Sequence, residues 1–263
     1  MRVPFLIAIL LGTLCTPAAG QTVFSRPYEP NQIALEALVP EFPNDDPSFP
    51  TGATFLTATR SLSKQVELAV ELPLARYARG NTSTSAVGNP YVGLGLSSTE
   101  RPFLIELGVR IPAVPTNEAA PVGQRADAGR TAAFRDETVS FSGLLNGRFS
   151  LGRYSSLRLR AGVTYTSIKT DTSGTTSHWE VPYSAQIWWD GDPLLTSLSI
   201  VGRPSFKDAP DNSTALHRAV LSVMLNGKRV QPGLMLGTGL NPLFTDGEFV
   251  LIGGVTLSIS YDR

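Results

Sequence analysis

Along most of the chain, apolar and polar residues alternate over segments of about ten positions. In "KQVELAVELPL", Val66, Leu68, Val70 and Leu72 form one set, and Glu67, Ala69 and Glu71 the other. A helix would place Val66 and Leu68 about 200° apart, so period two and an extended strand is the reading that fits. "RPFLIELGVRI" repeats the pattern, with Phe103, Ile105, Leu107, Val109 and Ile111 opposing Glu106 and Arg110. "SLRLRAGVTYT" sets Leu157, Leu159, Ala161, Val163 and Tyr165 against Arg158, Arg160 and Thr164. This periodicity predicts twelve strands, near 32–39, 52–61, 65–73, 89–97, 102–112, 137–149, 156–168, 178–189, 194–203, 215–225, 229–239 and 248–261. Alternation is weakest in the first two and in 194–203.

The connections separate one β architecture from another. Short links such as "SLSK", "STER", "DGDP" and "NGK" alternate with longer ones, of which 113–136 is the longest. Every second turn therefore lies at the same end. Short turns at one end and long loops at the other characterise a transmembrane, antiparallel, up-and-down β-barrel, and an even strand number brings both termini to the short-turn side. Trp179 and Trp189 lie ten residues apart on one predicted face. That spacing is roughly 24 Å along the membrane normal, close to the apolar band of about 25 Å between two aromatic girdles. Tyr165 and Tyr261 join them as expected interface aromatics. Pro182 and Pro232 fall inside predicted strands, where each removes a ladder hydrogen bond, so bulges or interruptions are expected there.

The first residues, "MRVPFLIAILLGTLCTPAAG", read as a secretory signal peptide, with Arg2, an apolar run and Ala18 and Gly20 before a cut. The expected organisation is a signal peptide over 1–20 and one outer-membrane β-barrel domain over 21–263. The only cysteine, Cys15, lies in the leader. The 22 basic residues balance the 22 acidic ones, which gives no reason to expect a nucleic-acid partner. Outer-membrane lipid and a small solute are the expected partners of a monomeric barrel. No cofactor or metal is expected: two histidines and no later cysteine make a poor zinc set.

Candidate catalytic groups do not converge in the sequence. Glu67 and Glu71 lie about 13 Å apart along a strand, beyond the separation that a glycosidase pair needs. His178 lies about 20 Å along its strand from Ser184, and His217 falls on the opposite parity. The expectation is that the protein is not an enzyme.

"RSLSKQVELAVELPLARY" followed by "GNPYVGLGLSS" resembles the outer-membrane proteins of phenol-degradation meta-pathways and wider sets of β-barrel transporters. Glu71-Leu72-Pro73 and Gly88-Asn89-Pro90 occupy the places of the shared Glu/Asp-Leu-Pro and Gly-Asn/Asp-Pro motifs, which in that group flank an irregular loop. The resemblance implies a barrel for passage of small compounds, hydrophobic ones included, and it implies no catalytic residues.

If the apolar sets face lipid, the opposite sets line a lumen. The predicted lining includes Glu36, Glu67, Glu71, Glu106, Arg110, Arg148, Arg158, Arg160, Glu180, Gln186, Arg218 and Glu248. Glu67 and Glu71 are expected on a wet wall that tunes charge selectivity, with Pro73 marking the passage into an outer loop. The 113–136 segment, with Arg125, Arg130 and Arg135, is the candidate for a constricting loop. The expected function is a channel or transporter in the cell outer membrane. A closed barrel with a structural or surface-interaction role, or a soluble exported β-sandwich that binds a ligand, are the alternatives.

Overall fold

The computed structural model describes residues 31–42, 50–97, 103–170, 174–204, 216–240 and 250–261. The expected signal peptide, residues 1–20, and Glu248 lie outside them. Fourteen strand segments form one antiparallel sheet: β1 Gln32–Pro40, β2 Gly52–Ser61, β3 Val66–Arg79, β4 Thr82–Val87, β5 Tyr91–Ser97, β6 Phe103–Arg110 and β7 Thr138–Ser150. They continue with β8 Ser155–Thr170, β9 Gly174–Glu180, β10 Tyr183–Asp190, β11 Leu194–Arg203, β12 Leu216–Leu225, β13 Val230–Gly239 and β14 Leu251–Ser260. The first and last strands pair, from Gln32 with Ser260 to Pro40 with Ile252. β4 and β5 share the neighbour β3, and β9 and β10 share β8, so each couple is one interrupted wall strand. The result is a closed barrel of twelve strands.

The barrel is inside out relative to a soluble core. Val70, Leu72, Leu74, Leu94, Ile105, Leu107, Leu159, Leu198 and Leu221 are exposed on its outer wall, whereas Glu36, Glu71, Glu106, Arg110 and Arg158 are buried inside. Alternation can satisfy both faces only if the outside solvent is hydrocarbon. Trp179 and Trp189 both point outward, 51% and 43% exposed, and remain on one face across the break between β9 and β10. The Tyr165 ring packs beside Trp179, with centroids 5.0 Å apart. Tyr261 lies just beyond β14 and donates its hydroxyl to Thr59 O at 2.7 Å.

Each proline within the wall sits where one adjacent ladder stops. Pro182 fills the gap between β9 and β10, and Pro232 lies beyond the last pair of β12 with β13, Met224 with Gly233. Pro73 does not end its strand, as the sequence reading expected. β3 continues to Arg79 and turns at Gly80-Asn81 into β4, so the "ARYARGNTSTSAVG" connection is a protruding hairpin. Likewise β8 runs to Thr170 and pairs with β9 through what had read as a long loop. Polar strand ends beyond the membrane keep the ladder bonded but lose the apolar signal that marks a strand in sequence.

Opposite Leu72 and Pro73, three residues separate β4 from β5, one more than the ladder needs. This bulge turns both Gly88 and Asn89 inward, since an extra residue breaks the alternation of faces.

Candidate functional site: a plugged lumen

The segment between β6 and β7 folds back into the barrel. It contains helix α1, Ala119–Ala126, and a 3-10 segment, Ala128–Ala133. Alanine and the lack of bulk let a helix fit within a narrow barrel. Asn117 Oδ1 accepts the Ala119 N–H, and Pro121 occupies the first turn, where it forfeits no intrahelical bond. Val114, Ala119, Ala120, Ala126, Ala133 and Phe134 pack against inward Leu38, Phe55, Ala75, Ala86, Val220, Met235 and Ile252. Part of the inner wall is therefore an apolar bed, whereas the lining residues named from the sequence were all polar or charged. Phe134 meets Phe55 edge-on at 5.7 Å. Gly88 and Gly123 lie under this contact: a Cβ on Gly123 would come within 2.3 Å of the Phe134 ring, and one on Gly88 within 2.5 Å of Ala133 O.

Asn89, fully buried, clamps the segment at both ends. Its Oδ1 accepts the Ala113 and Val114 N–H groups at 2.7 and 3.1 Å, and its Nδ2 donates to Ala132 O and Arg135 O at 2.9 and 2.7 Å. All four hydrogen-bonding positions of the side chain are used. Sequence reasoning assigned Asn89 only to a motif, although an asparagine between glycine and proline was a visible signal of turn chemistry.

Arg130 forms the electrostatic latch. It donates to Glu36 at 2.5 Å, Glu71 at 3.0 Å and Asp127 at 2.6 Å, with its guanidinium 3.5 Å above the Phe55 ring. Glu71 also accepts from Arg110 at 2.6 Å. Arg218 donates to the carbonyls of Ala126 and Arg125 at the C-terminal end of α1, where a cation suits the helix dipole, and stands 3.8 Å from Asp127. Burial opposes ionisation of Asp127. Arg130, Arg218 and the Gly129 N–H outweigh it and hold the carboxyl below its usual range.

The remaining predicted lining residues take different places. Glu106 accepts from Tyr91 Oη at 2.9 Å and from Arg160 at 2.7 Å. Glu180 pairs with Arg203 and lies 3.2 Å from His178, whose ring also meets Arg135 at 3.1 Å. Arg158 is buried and reaches Asn146 at 3.3 Å, and Gln186 accepts from the Trp188 indole. Arg148 is half-buried at the short-turn mouth, 3.9 Å from Asp190. Glu67 is buried beside the Thr59 hydroxyl and has no cationic partner among the described residues. The two glutamates of "KQVELAVELPL" thus differ: Glu71 belongs to the latch and does not lie on an open wet wall, while Glu67 has no cation beside it among the described residues. Arg203 and Tyr91 were not singled out from the sequence, because their partners Glu180 and Glu106 lie 23 and 15 residues away; Asp127 pairs locally with Arg130, and only its approach to Arg218 is long-range.

Between the plug and the wall of β6–β11 a cavity of about 60 Å³ remains. Its charged lining consists of Arg110, Arg130, Arg160 and Arg203, joined by Ser140, Ser142, Tyr183 and Ser184, with no carboxylate among its lining residues.

No protein-family model matches the sequence, and no curated protein does. Solved structures share the fold. The NanC porin superposes with a TM-score of 0.56 at 6% identity, over 87% of this chain and all of that one. The KdgM porin gives 0.53 at 9%, over 88% and 99%. The COG4313 outer-membrane channel from Pseudomonas putida F1 gives 0.54 at 12%, over 92% and 100%. The chain has the fold of outer-membrane β-barrels.

Proposed function

We propose that the protein, exported through its N-terminal signal, is an outer-membrane channel that admits small anionic solutes past an internal plug. The observation that carries this reading is the cavity beside the plug, where four arginines line the space left between the inserted segment and the β6–β11 wall. A confined passage with one sign of charge on its lining concentrates counter-charged solutes, because the low-dielectric walls focus the field. The carboxylates that pair with these arginines, Glu36, Glu71, Glu106, Asp127 and Glu180, are not among the lining residues. A polar, anionic solute suits this lining better than a hydrophobic one. The reading is non-catalytic.

The plug also supports a second reading, a permanently closed barrel with a surface role, since a void of about 60 Å³ admits only a few water-sized groups. Planar-bilayer recording separates the two. The channel reading expects openings with a reversal potential that favours anions under a salt gradient. Arg160→Gln and Arg203→Gln are expected to lower the anion-to-cation permeability ratio by about threefold each. A folded, inserted protein that never conducts would establish the closed barrel, and cation preference would defeat the anion assignment.

A further inference from the structure

Large side chains do not cover the outer wall evenly. Where β14, β1, β2, β3 and β4 approach the long-connection end, outward positions shrink to Gly253, Ala37 and Thr54, bordered by Val39, Leu74 and Val87. They form an apolar groove of about 730 Å³ on the face turned to the membrane. That volume lies in the range of sites that hold a ligand, about 300–1,000 Å³.

Two glycines here are small for different reasons. A Cβ on Gly52 would come within 2.4 Å of Leu38 O, so close approach of β1 and β2 excludes any side chain. A Cβ on Gly253 would meet nothing within 4 Å. Backbone packing therefore does not require glycine at 253, and what it preserves is the open floor of the groove. At the outer edge stands Arg76, exposed, on the same outward row as Leu74, with Gly52 and Ser85 as its cross-strand neighbours. Among the described residues no carboxylate pairs with it. Arg76 stands where the wall leaves the membrane, so its guanidinium lies at the interface, within reach of an anionic headgroup.

We propose that this groove holds an acyl chain of a phosphorylated glycolipid of the outer leaflet, with Arg76 on its phosphate. An apolar trough closed at its headgroup end by one cation matches that ligand in both shape and charge: the chain, already in hydrocarbon, gains packing contacts along the trough, and the guanidinium pairs with phosphate oxygens. The proposal rests on the membrane placement given above and is independent of what crosses the lumen.

Native mass spectrometry of the detergent-solubilised barrel tests it, with diphosphorylated, hexa-acylated lipid A as one probe and the same glycolipid without phosphates as the other. Gly253→Leu fills the groove without touching backbone and is expected to abolish adducts of both probes. Arg76→Gln is expected to reduce retention of the phosphorylated probe about tenfold, to the level of the phosphate-free one. Unchanged adducts in Gly253→Leu would overturn the groove as the site, and equal retention of both probes by the wild type would overturn the phosphate contact. Heat-shifted gel migration confirms each variant as a barrel. A wild type without that shift would overturn the membrane placement itself, an outcome distinct from a folded barrel that retains no lipid.

Discussion

At the scale of single residues, the interior spends charge on holding a segment in place. Arg130 faces three carboxylates at once, and its removal would leave Glu36, Glu71 and Asp127 buried without it. Breaking a buried pair from one side costs about 3–5 kcal/mol, so Arg130→Met should release the plug, seen as larger conductance and protease cleavage within 111–137. Glu71→Gln should do the same more weakly, because Arg110 and Arg130 would share a neutral acceptor. Glu67→Gln removes a carboxylate that latches nothing. It should leave cleavage unchanged. Cleavage of Glu67→Gln matching that of Arg130→Met would show that the two glutamates had been assigned wrongly.

At the scale of elements, the inserted segment is held by three kinds of bond: the apolar bed under α1, the Asn89 clamp and the ion cluster around Arg130. Asp127 adds a pH dependence. Its carboxyl is held below the usual range, so its contribution is complete above the ordinary carboxylate pKa of about 4 and is lost as pH falls through the lowered value. The share of conductance and plug proteolysis that Asp127 controls should therefore be flat from pH 8 to 5 and appear only below about pH 4. Asp127→Asn should remove that share of the response. A step centred between pH 6 and 7 would assign the control to another group.

At the scale of the molecule, β1 closing on β14 leaves the barrel wall no free edge, and every described strand except β4 and β9, which pair only with β3 and β8, has two neighbours over most of its length. A closed sheet facing hydrocarbon resists dodecyl sulphate until heated, because unzipping any strand exposes unpaired backbone groups to an apolar solvent. Unheated protein should migrate anomalously on a gel and shift on boiling. A chain that shows no shift and remains soluble after export would overturn the membrane placement.

How much was legible in the sequence follows from where each signal resides. Period-two alternation is a property of neighbours along the chain, so strand number, the outward set of Val70, Leu72 and Leu107, and the inward placement of Glu71 and Arg110 were readable without partners. The 113–136 segment stood out by its length as a candidate obstruction. What it rests on did not, since Arg130 and Glu36 are 94 residues apart and Arg218 reaches back 92 residues to Ala126. Only closure of the barrel brings such groups within a few ångströms. The pattern of faces was thus decided by local stereochemistry, and the pairing of charges, which separates Glu71 in the latch from Glu67 beside it, by tertiary structure.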